Sequence, residues 1–420
     1  MNVKSTLAIV MFCLFGTTAM AQVDTFRVMH HNILFFGSSC AGLDLDDRLG
    51  WLKTVLTEAQ PDIYTVNEIS PSASVTQAIL DSCFTYTNAM EAGEITNINN
   101  SNIVNQIFYR SDKFGYKGVE AIDGDPRDLN VYTLYAKDGL EAGDTTFLHL
   151  VVMHLKASSG GSNESRRRND AIKIMNWVEQ NAVGENVLLC GDMNIYSHNE
   201  DAFEEFVEND NAAISFIDPL GLEDIGWDDM ASNGYIYTQS TRSNPIDCGS
   251  TGGLDDRFDL ILMSPSIDNG NLGLKYVPGT YWAFGNDGNT YNTTLSCTNN
   301  TSVGPGVCDA LVKVSDHLPV VMDIERTAII SSNDQPKLPW SVHVLGNPVG
   351  EQLAIRIRDE QWTSPSFELT LRTLQGQAIH HANISAGNAS IDVTPFAAGM
   401  YLLEVQDRMG RVAREWVVKK

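Results

Sequence analysis

Two short polar side chains follow an uninterrupted apolar run in the middle of the chain. Residues 187–190 (VLLC) predict a buried strand, and Gly191 lets the backbone turn sharply after it. Side chains two residues apart in an extended segment point the same way, so the carboxylate of Asp192 and the carboxamide of Asn194 converge on one small target. A phosphate group with its attacking water is such a target. A tight turn without function is the alternative, because Gly, Asp and Asn are also ordinary turn residues.

Further carboxylates, amides and imidazoles lie at or beside the ends of other predicted strands. Each of them alone is compatible with a solvated turn, a helix cap or a buried histidine with its hydrogen bonds made. Their joint placement at strand ends of one domain is how active sites are assembled on a rigid sheet. These residues are Asn32, Glu68, His154, Asp259, Asp316 and His317.

The elements that must position these groups alternate between strands and helices. Apolar residues recur at helical spacing over residues 46–59, and Pro61 ends that helix. Short strands separated by helices predict an α/β fold in which two sheets pack face to face with helices outside. The predicted helices cover residues 46–59 and 163–181, and the predicted strands cover residues 25–34, 63–66, 103–110, 131–136, 145–155, 187–190, 257–263 and 318–324.

Six segments, taken in order, resemble the motifs of the endonuclease/exonuclease/phosphatase superfamily over residues 25–326. The resemblance implies a four-layer α/β sandwich, with two packed central β-sheets flanked by helices and a metal-dependent phosphoesterase site at one end. Asn67 stands where the family usually has Gln, whereas Glu68 is retained. The segments are Asn32 after a strand, residues 61–68 (PDIYTVNE), 154–155 (HL), 191–194 (GDMN), 257–259 (RFD) and 315–320 (SDHLPV).

The resemblance implies a divalent metal ion. Glu68 would bind it, assisted by Asn32 and Asp316. Mg²⁺ is the first expectation, with Ca²⁺ or Mn²⁺ as alternatives, because hard cations take oxygen ligands and Mg²⁺ keeps several of its waters.

The resemblance also implies catalytic roles. Asp259 would orient His317, Asp192 would orient or deprotonate the attacking water, and Asn194 would hold a non-bridging oxygen. His154 would donate to the scissile phosphate or assist the leaving group. Which of Asp192 and His317 takes the proton stays open.

Charge and composition restrict the function classes. The hydrophobic fraction of 43% is that of a globular protein, and the net charge of -25 argues against tight binding of duplex nucleic acid through a basic face. Residues 166–168 (RRR) are the one dense basic cluster. They predict a solvated helix face, and the alternative is a contact to substrate phosphate at the rim of the site.

The amino terminus and the cysteines indicate export. Residues 1–21 read as a secretory signal peptide, so we expect a secreted or surface-exposed protein without stable membrane insertion. Seven cysteines less Cys13 of the signal peptide leave six for an oxidising compartment. Cys297 and Cys308 predict a local bridge, Cys40 and Cys83 a second one. Cys190 is expected as a buried thiol, or paired with Cys248.

Substrate choice is open at this level. Residues 279–308 form a long segment whose aromatic residues Tyr281, Trp282 and Phe284 could stack on a base, lie against a lipid headgroup or pack beneath the segment. A nuclease is the first hypothesis, and a phosphomonoesterase or a sphingomyelinase/phospholipase C-type hydrolase is the alternative. A non-catalytic surface-binding protein is the third.

The composition changes after the region that would be the catalytic domain, residues 22–327. Residues 328–339 read as a linker, and residues 340–420 alternate in the manner of a small all-β sandwich. Residues 347–348 (NP), 374–377 (LQGQ), 399–402 (GMYL) and 417–420 (VVKK) resemble the C-terminal sorting domain of the type IX secretion system. The resemblance implies a Bacteroidota-type export route and the secretion machinery as partner. A carbohydrate-binding or spacer module is the alternative.

Overall fold

The chain forms two compact units, Met1–Ile330 and Ser331–Lys420. The computed structural model describes residues 23–40, 44–138, 145–222, 227, 231–327, 340–345, 348–358, 366–373, 377–408 and 412–420. The predicted signal peptide, residues 1–21, and the predicted linker, residues 328–339, lie outside the described residues.

The first unit alternates strands and helices, and the predicted strands and helices are all present within a few residues of their predicted bounds. A 3₁₀ helix, Ala231–Ile236, lies between the helix Asp201–Val207 and the strand Asp259–Met263. The elements are β1 (Val23–Phe36), α1 (Leu45–Ala59), β2 (Ile63–Ile69), α2 (Ala73–Ser82), β3 (Met90–Ala92), β4 (Val104–Arg110), β5 (Phe114–Ile122), β6 (Leu129–Ala136), β7 (Phe147–His154), α3 (Gly161–Asn181), β8 (Val187–Asp192), α4 (Asp201–Val207), β9 (Asp259–Met263), α5 (Pro265–Asn269), β10 (Leu274–Tyr276), β11 (Trp282–Ala283), α6 (Pro305–Val314) and β12 (Val320–Thr327).

These strands form two sheets. Seven strands make one sheet in the order β10-β12-β1-β2-β4-β3, with β11 also paired to β12, and five make the other in the order β5-β6-β7-β8-β9. The pairs β1–β2 and β7–β8 are parallel, and α1 and α3 provide the crossovers that parallel neighbours require. The other pairings in both sheets are antiparallel.

Strand alternation divides the core into layers. Val28 of β1, Leu150 of β7 and Leu188 of β8 belong to the cluster between the sheets, whereas their neighbours Met29 and Leu189 belong to the cluster that includes the helices. This follows from the two-residue repeat of a strand, in which successive side chains enter opposite layers. The α/β fold of packed sheets with outer helices is therefore confirmed.

The disulfides differ in part from the prediction. Cys297–Cys308 is present, and Cys190 is a buried thiol as expected. The predicted bridge between Cys40 and Cys83 is wrong. Cys40 instead joins Cys248, 208 residues along the chain, because the segment after β1 lies beside the loop that carries Cys248. Cys83 lies just after α2, and its thiol is 3.5 Å from the Leu49 carbonyl oxygen of α1.

The second unit is a small all-β sandwich, as predicted. All its strand pairings within the two sheets are antiparallel, and its core contains Leu353, Ile355, Leu369, Leu403 and Val405. The strands are β13 (Ser341–Leu345), β14 (Gln352–Arg358), β15 (Phe367–Thr373), β16 (Ala378–Ile384), β17 (Gly387–Asp392), β18 (Gly399–Asp407) and β19 (Val412–Lys419). One sheet has the order β13-β14-β17 and the other β16-β15-β18-β19.

Candidate active site

The polar residues at the strand ends continue the face that lies between the two sheets. His154 follows Leu148, Leu150 and Val152 at two-residue spacing on β7, and Asp192 follows Leu188 and Cys190 on β8 in the same way. The spacing keeps all of these side chains on the inner face. The apolar layer between the sheets thus ends in ionisable groups. Asn32 of β1 and Asp259 of β9 likewise continue the two-residue spacing of the inner-face residues of their own strands.

Glu68 reaches the same place by a local departure from strand geometry. It has a φ of +61°, and Leu34 and Phe35 opposite it have φ values of +44° and +47°. The register of the β1–β2 pair shifts between Asn32 and Phe36. Non-glycine residues rarely adopt positive φ, and such strain concentrates at functional sites. Asn194, at +50°, is another case beside the same pocket.

Gly191 allows β7 and β8 to approach closely. A Cβ atom at this position would lie 2.2 Å from the Met153 carbonyl oxygen, which is a backbone atom that cannot move aside cheaply. Glycine is therefore required by close packing. The close approach places His154 directly opposite Asp192 in the parallel pair.

The structure brings all eight predicted site residues together. A pocket of about 200 Å³ is lined by six of them, and Asn32 and Asp259 are buried behind it and hydrogen-bonded to residues that line it. The six are Glu68, His154, Asp192, Asn194, Asp316 and His317.

His317 and Asp259 form a buried imidazole–carboxylate pair. His317 Nδ1 lies 2.7 Å from Asp259 Oδ2, and both side chains are almost fully buried. Burial by itself would lower the pKa of His317, but Asp259, Asp192 and Asp316 raise that pKa well above its usual value. In return His317 holds the pKa of Asp259 below its usual range, against the upward effect of burial. The predicted Asp259–His317 contact is present.

Asp192 stands at the centre of the polar cluster. Asn32 Nδ2 donates to its Oδ2 at 2.9 Å, the Asn194 backbone N–H donates to its Oδ1 at 3.2 Å, and His154 Nε2 lies 3.4 Å from its Oδ2. Burial raises the pKa of Asp192 to about 7, although the nearby imidazole of His317 acts in the opposite direction.

His154 is held as a neutral imidazole. Burial, with Arg127 nearby as a second cause, lowers the pKa of His154 well below its usual value. The Arg127 guanidinium donates to the carbonyl oxygens of His154 at 3.3 Å and Leu155 at 3.2 Å. Arg127 was not predicted as part of the site, because it comes from the segment before β6 and belongs to no recognisable motif.

Two carboxylates fit a hard divalent cation. Glu68 Oε2 accepts from the Phe35 backbone N–H at 3.0 Å, and Asp316 Oδ2 accepts from the Ser250 backbone N–H at 2.6 Å. Burial and the proximity of Asp316 raise the pKa of Glu68. A cation bound beside the carboxylate would lower that pKa again. Among the described residues, no three His, Cys, Asp or Glu side chains group closely enough to hold a metal by themselves. Carboxylate oxygens are the ligands that hard divalent cations prefer.

Asn32, a predicted metal ligand, lies between two carboxylates of the site. Its amide oxygen accepts from the Leu34 backbone N–H at 3.0 Å. The amide nitrogen donates to Glu68 at 3.1 Å and to Asp192. In this arrangement Asn32 links Glu68 to Asp192, and its role as a metal ligand stays a prediction.

A chain of amides behind the site fixes the backbone of Asp192. Asn67 Oδ1 accepts from the Asp192 N–H at 2.9 Å, and Asn67 Nδ2 donates to Asn105 at 2.7 Å. Asn105 in turn donates to Asn130 at 2.8 Å. The sequence drew attention to Asn67 only as a departure from the family's Gln, whereas the structure makes it a link between the sheets.

Gln239 is a further site residue that sequence reasoning missed. Its Nε2 lies 3.2 Å from Asp316 Oδ2 and 2.5 Å from His317 Nε2. It belongs to an irregular segment, where neither periodicity nor a motif indicates proximity to the site. The same segment continues to Cys248, Gly249 and Ser250, which line the pocket.

The basic cluster and the aromatic segment lie outside the pocket lining. Arg166 pairs with Asp125, Arg168 with Glu205, and Arg167 is completely buried against Glu200, so the expectation of a solvated face holds only for the outer two. The predicted aromatics Tyr281, Trp282 and Phe284 are not pocket residues. Tyr281 and Phe284 are buried and Trp282 is partly buried, which confirms the packing alternative.

Comparisons with known proteins found a family for the second unit and solved structures of similar fold for the first. Residues 344–419 match the family described as a secretion system C-terminal sorting domain, which confirms the predicted C-terminal domain. No protein of curated function matches the chain. Among the described residues, no helix is both long and apolar enough to cross a membrane.

The first unit is similar in fold to solved structures of the endonuclease/exonuclease/phosphatase family. One is D. rerio TDP2 complexed with single strand DNA product, at 14% identity over 71% of this chain and 98% of that chain, with a TM-score of 0.45. Another is an endonuclease/exonuclease/phosphatase family protein from Bacteroides thetaiotaomicron, at 14% identity over 73% and 99%, with a TM-score of 0.44. A third is the human Nocturnin catalytic domain with bound sulfate, at 16% identity over 73% and 98%, with a TM-score of 0.43.

Proposed function

We propose that the first unit is a divalent-metal-dependent phosphodiester hydrolase, in the first place a nuclease, that acts outside the cell. The single observation that carries this proposal is the convergence of Asp192, His154 and the Asp259–His317 pair on one small pocket. Two hydrogen bonds fix the orientation of these side chains: His317 to Asp259 at 2.7 Å, and Asn32 to Asp192 at 2.9 Å.

Asp192 is the proposed acceptor of the proton of the attacking water. Its raised pKa, about 7, makes the carboxylate a stronger base than an exposed aspartate. Asn32 and the Asn194 backbone N–H hold the two oxygens, so the carboxylate can orient a water toward the pocket. Asn194 lines the same pocket, and its Nδ2, which also donates to the Leu155 carbonyl oxygen at 3.3 Å, is assigned to a non-bridging phosphate oxygen.

His317 is the proposed donor to the phosphate as negative charge builds up. Three carboxylates favour its protonated form, and Asp259 fixes the ring through Nδ1, so that Nε2 lies at the pocket beside the Gln239 amide. A fixed cationic donor at that point stabilises a pentavalent phosphorus without reorganisation. His154 is neutral and is assigned to the leaving-group side, where it would hydrogen-bond the departing oxygen.

Glu68 and Asp316 are the residues that would hold the metal ion. Bound there, a divalent cation would neutralise the phosphate and favour charge on its oxygens. The protein supplies the two carboxylates, each fixed by a backbone N–H, and Asn32 links Glu68 to Asp192.

Export is the cellular side of the proposal. The sorting domain at residues 344–419 supports transport by the type IX secretion system, and we propose that the mature chain acts extracellularly or at the outer cell surface. The proposed domain division is a catalytic domain over residues 22–327, a linker over residues 328–339 and the sorting domain over residues 340–420.

A substrate panel tests the proposed function. The purified chain is incubated with single-stranded DNA, RNA, bis-p-nitrophenyl phosphate, p-nitrophenyl phosphate and sphingomyelin, with Mg²⁺, Mn²⁺, Ca²⁺ or EDTA. We expect turnover of phosphodiesters with a divalent ion, and loss of turnover in EDTA and in Glu68→Gln. Glu58→Gln on exposed α1 surface is the matched control and keeps full activity.

Turnover of the monoester or of sphingomyelin in preference to the other substrates would overturn the nuclease assignment. Binding without turnover across the whole panel would overturn the catalytic one.

A further inference from the structure

An aromatic side chain stands at the mouth of the pocket. Tyr196 lies two residues after Asn194, lines the same pocket as Asp192 and His317, and is 39% exposed. Its ring meets the ring of Phe258 edge to face, with centroids 4.8 Å apart. Phe258 is 3% exposed, so Tyr196 is the ring that a ligand can reach.

The position of the Tyr196 ring is fixed from beneath. The Arg167 guanidinium lies 5.5 Å from the ring centroid, a cation–π distance. Arg167 is itself completely buried, and its Nη1 donates to the carbonyl oxygens of Lys156 at 2.7 Å and Ser158 at 2.9 Å. The Tyr196 backbone N–H donates to Glu200, the ion-pair partner of Arg167, at 3.3 Å. A ring that is already ordered loses little entropy when a ligand stacks on it.

The charges around the pocket favour a ligand held by stacking rather than by many phosphates. The chain carries a net charge of -25, and Arg166 and Arg168 are each paired with a carboxylate. Arg127 is directed to backbone carbonyls. Proteins that follow a nucleic-acid backbone use several free cations for this purpose. Stacking on an aromatic side chain supplies affinity that does not depend on the number of phosphates.

We propose that Tyr196, backed by Arg167 and Phe258, is the binding subsite for one unpaired nucleobase next to the scissile phosphate. The inference rests on the proposed function, because it names the substrate class of that same site. The substrates are short or single-stranded nucleotide phosphodiesters, in which the base is free to leave its own stack and lie on the Tyr196 ring. The pocket then holds the adjacent phosphate beside Asp192 and His317.

The test compares a dinucleotide with two counterparts that lack either the 5′ or the 3′ base, in wild type, Tyr196→Ala and Tyr196→Phe. We expect Tyr196→Ala to raise KM for the dinucleotide about tenfold, the size of one base–aromatic stack, with kcat little changed. Tyr196→Phe keeps the ring and retains the wild-type KM. One of the two abasic counterparts shows the raised KM already in wild type, and Tyr196→Ala raises it no further.

Several outcomes overturn the subsite. Equal kcat/KM of wild type for the dinucleotide and both abasic counterparts would do so, as would an equal loss in Tyr196→Ala on all three. Dependence on Tyr196 for p-nitrophenylphosphorylcholine but not for the dinucleotide would assign the ring to a quaternary ammonium group instead. In each case turnover itself persists, whereas failure of the proposed function would leave wild type inactive on every phosphodiester.

Discussion

Both units of this chain enclose an apolar core between two β-sheets, but they treat a buried carboxylate in opposite ways. In the second unit Asp407 is 5% exposed and accepts from the indole Nε1 of Trp340 at 3.0 Å. In the first unit Asp192 is 2% exposed and lies among other ionisable groups, with His154 at 3.4 Å and His317 at 3.7 Å.

The comparison distinguishes a buried carboxylate that stabilises the fold from one that belongs to a candidate active site. A carboxylate held by an indole N–H locks a tryptophan against the core and stabilises the fold. A carboxylate surrounded by other titratable groups has a perturbed pKa and costs folding free energy, and that pattern is typical of active sites. Removal of the carboxylate should therefore have opposite consequences for stability in the two units.

The largest expected effect is on turnover in the first unit. Asp192→Asn and His317→Ala should each lower kcat/KM roughly 10³-fold or more, because each removes a group assigned to the reacting atoms. Steady-state kinetics on the best substrate of the panel measures this. The matched Asp407→Asn variant keeps the kcat/KM of wild type. Activity within tenfold of wild type in Asp192→Asn would remove Asp192 from the mechanism.

A smaller loss is expected when the support of Asp192 is removed and Asp192 itself is left intact. Asn67→Ala deletes the acceptor of the Asp192 backbone N–H and the donor to Asn105. We expect kcat to fall about 10- to 100-fold with KM nearly unchanged, because misplacement of a catalytic group affects the chemical step. Unchanged far-ultraviolet circular dichroism serves as the folding control. A raised KM with unchanged kcat would place Asn67 in substrate binding instead.

The counterpart in the second unit is a loss of stability. Asp407→Ala removes the acceptor of the Trp340 indole and should lower the free energy of unfolding of that unit by about 1–3 kcal/mol. Trp340 fluorescence during urea unfolding reports the transition, compared with a Trp340→Phe reference that identifies its signal. No change in the midpoint would mean that the buried indole contact contributes nothing.

The smallest expected effect is a pH dependence of stability in EDTA. The pKa of Asp192 is raised to about 7 in the folded protein, so between about pH 4, the unfolded value, and pH 7 the folded state binds the extra proton. Protonation of Asp192 therefore stabilises the folded state fully below about pH 4, and this stabilisation is lost as the pH rises through about 7. Asp192→Asn should flatten that decline and be more stable than wild type at pH 8 by on the order of 1 kcal/mol. Scanning calorimetry from pH 4 to pH 8 measures both slopes, and identical slopes would contradict the assignment.

Much of the site could be predicted because strand periodicity is local. His154 and Asp192 continue an alternation of apolar residues that is visible in the sequence, and the two-residue repeat places them on the inner face. Order along the chain then allowed Glu68, Asp259 and the Asp316–His317 pair to be grouped with them. The distances between these residues could not be predicted from the sequence, because they depend on the pairing of strands that are remote along the chain.

The parts that were missed come from irregular or composition-biased segments. Gln239 and Ser250 belong to a stretch without periodicity, and Cys248 pairs across 208 residues, a distance no local pattern indicates. The helix Pro305–Val314 is not among the predicted helices, because it begins within the segment 279–308, which is rich in Gly, Asn and Thr. Arg167 was expected in solvent, since a run of three arginines does not reveal that the middle one has a buried partner in Glu200.

The Cys40–Cys248 disulfide gives the proposed enzyme a dependence on where it is in the cell. It ties down the loop whose Ser250 N–H donates to Asp316 at 2.6 Å. This disulfide does not persist in the reducing cytosol. The pocket loop that carries Cys248 and Ser250 is therefore not cross-linked to Cys40 until the chain reaches an oxidising compartment. We expect reductant to lower kcat reversibly in wild type and in Cys297→Ser/Cys308→Ser, which keeps the Cys40–Cys248 bond, but not in Cys40→Ser/Cys248→Ser. A producing cell would then be protected from its own hydrolase by chemistry alone, without an inhibitor protein.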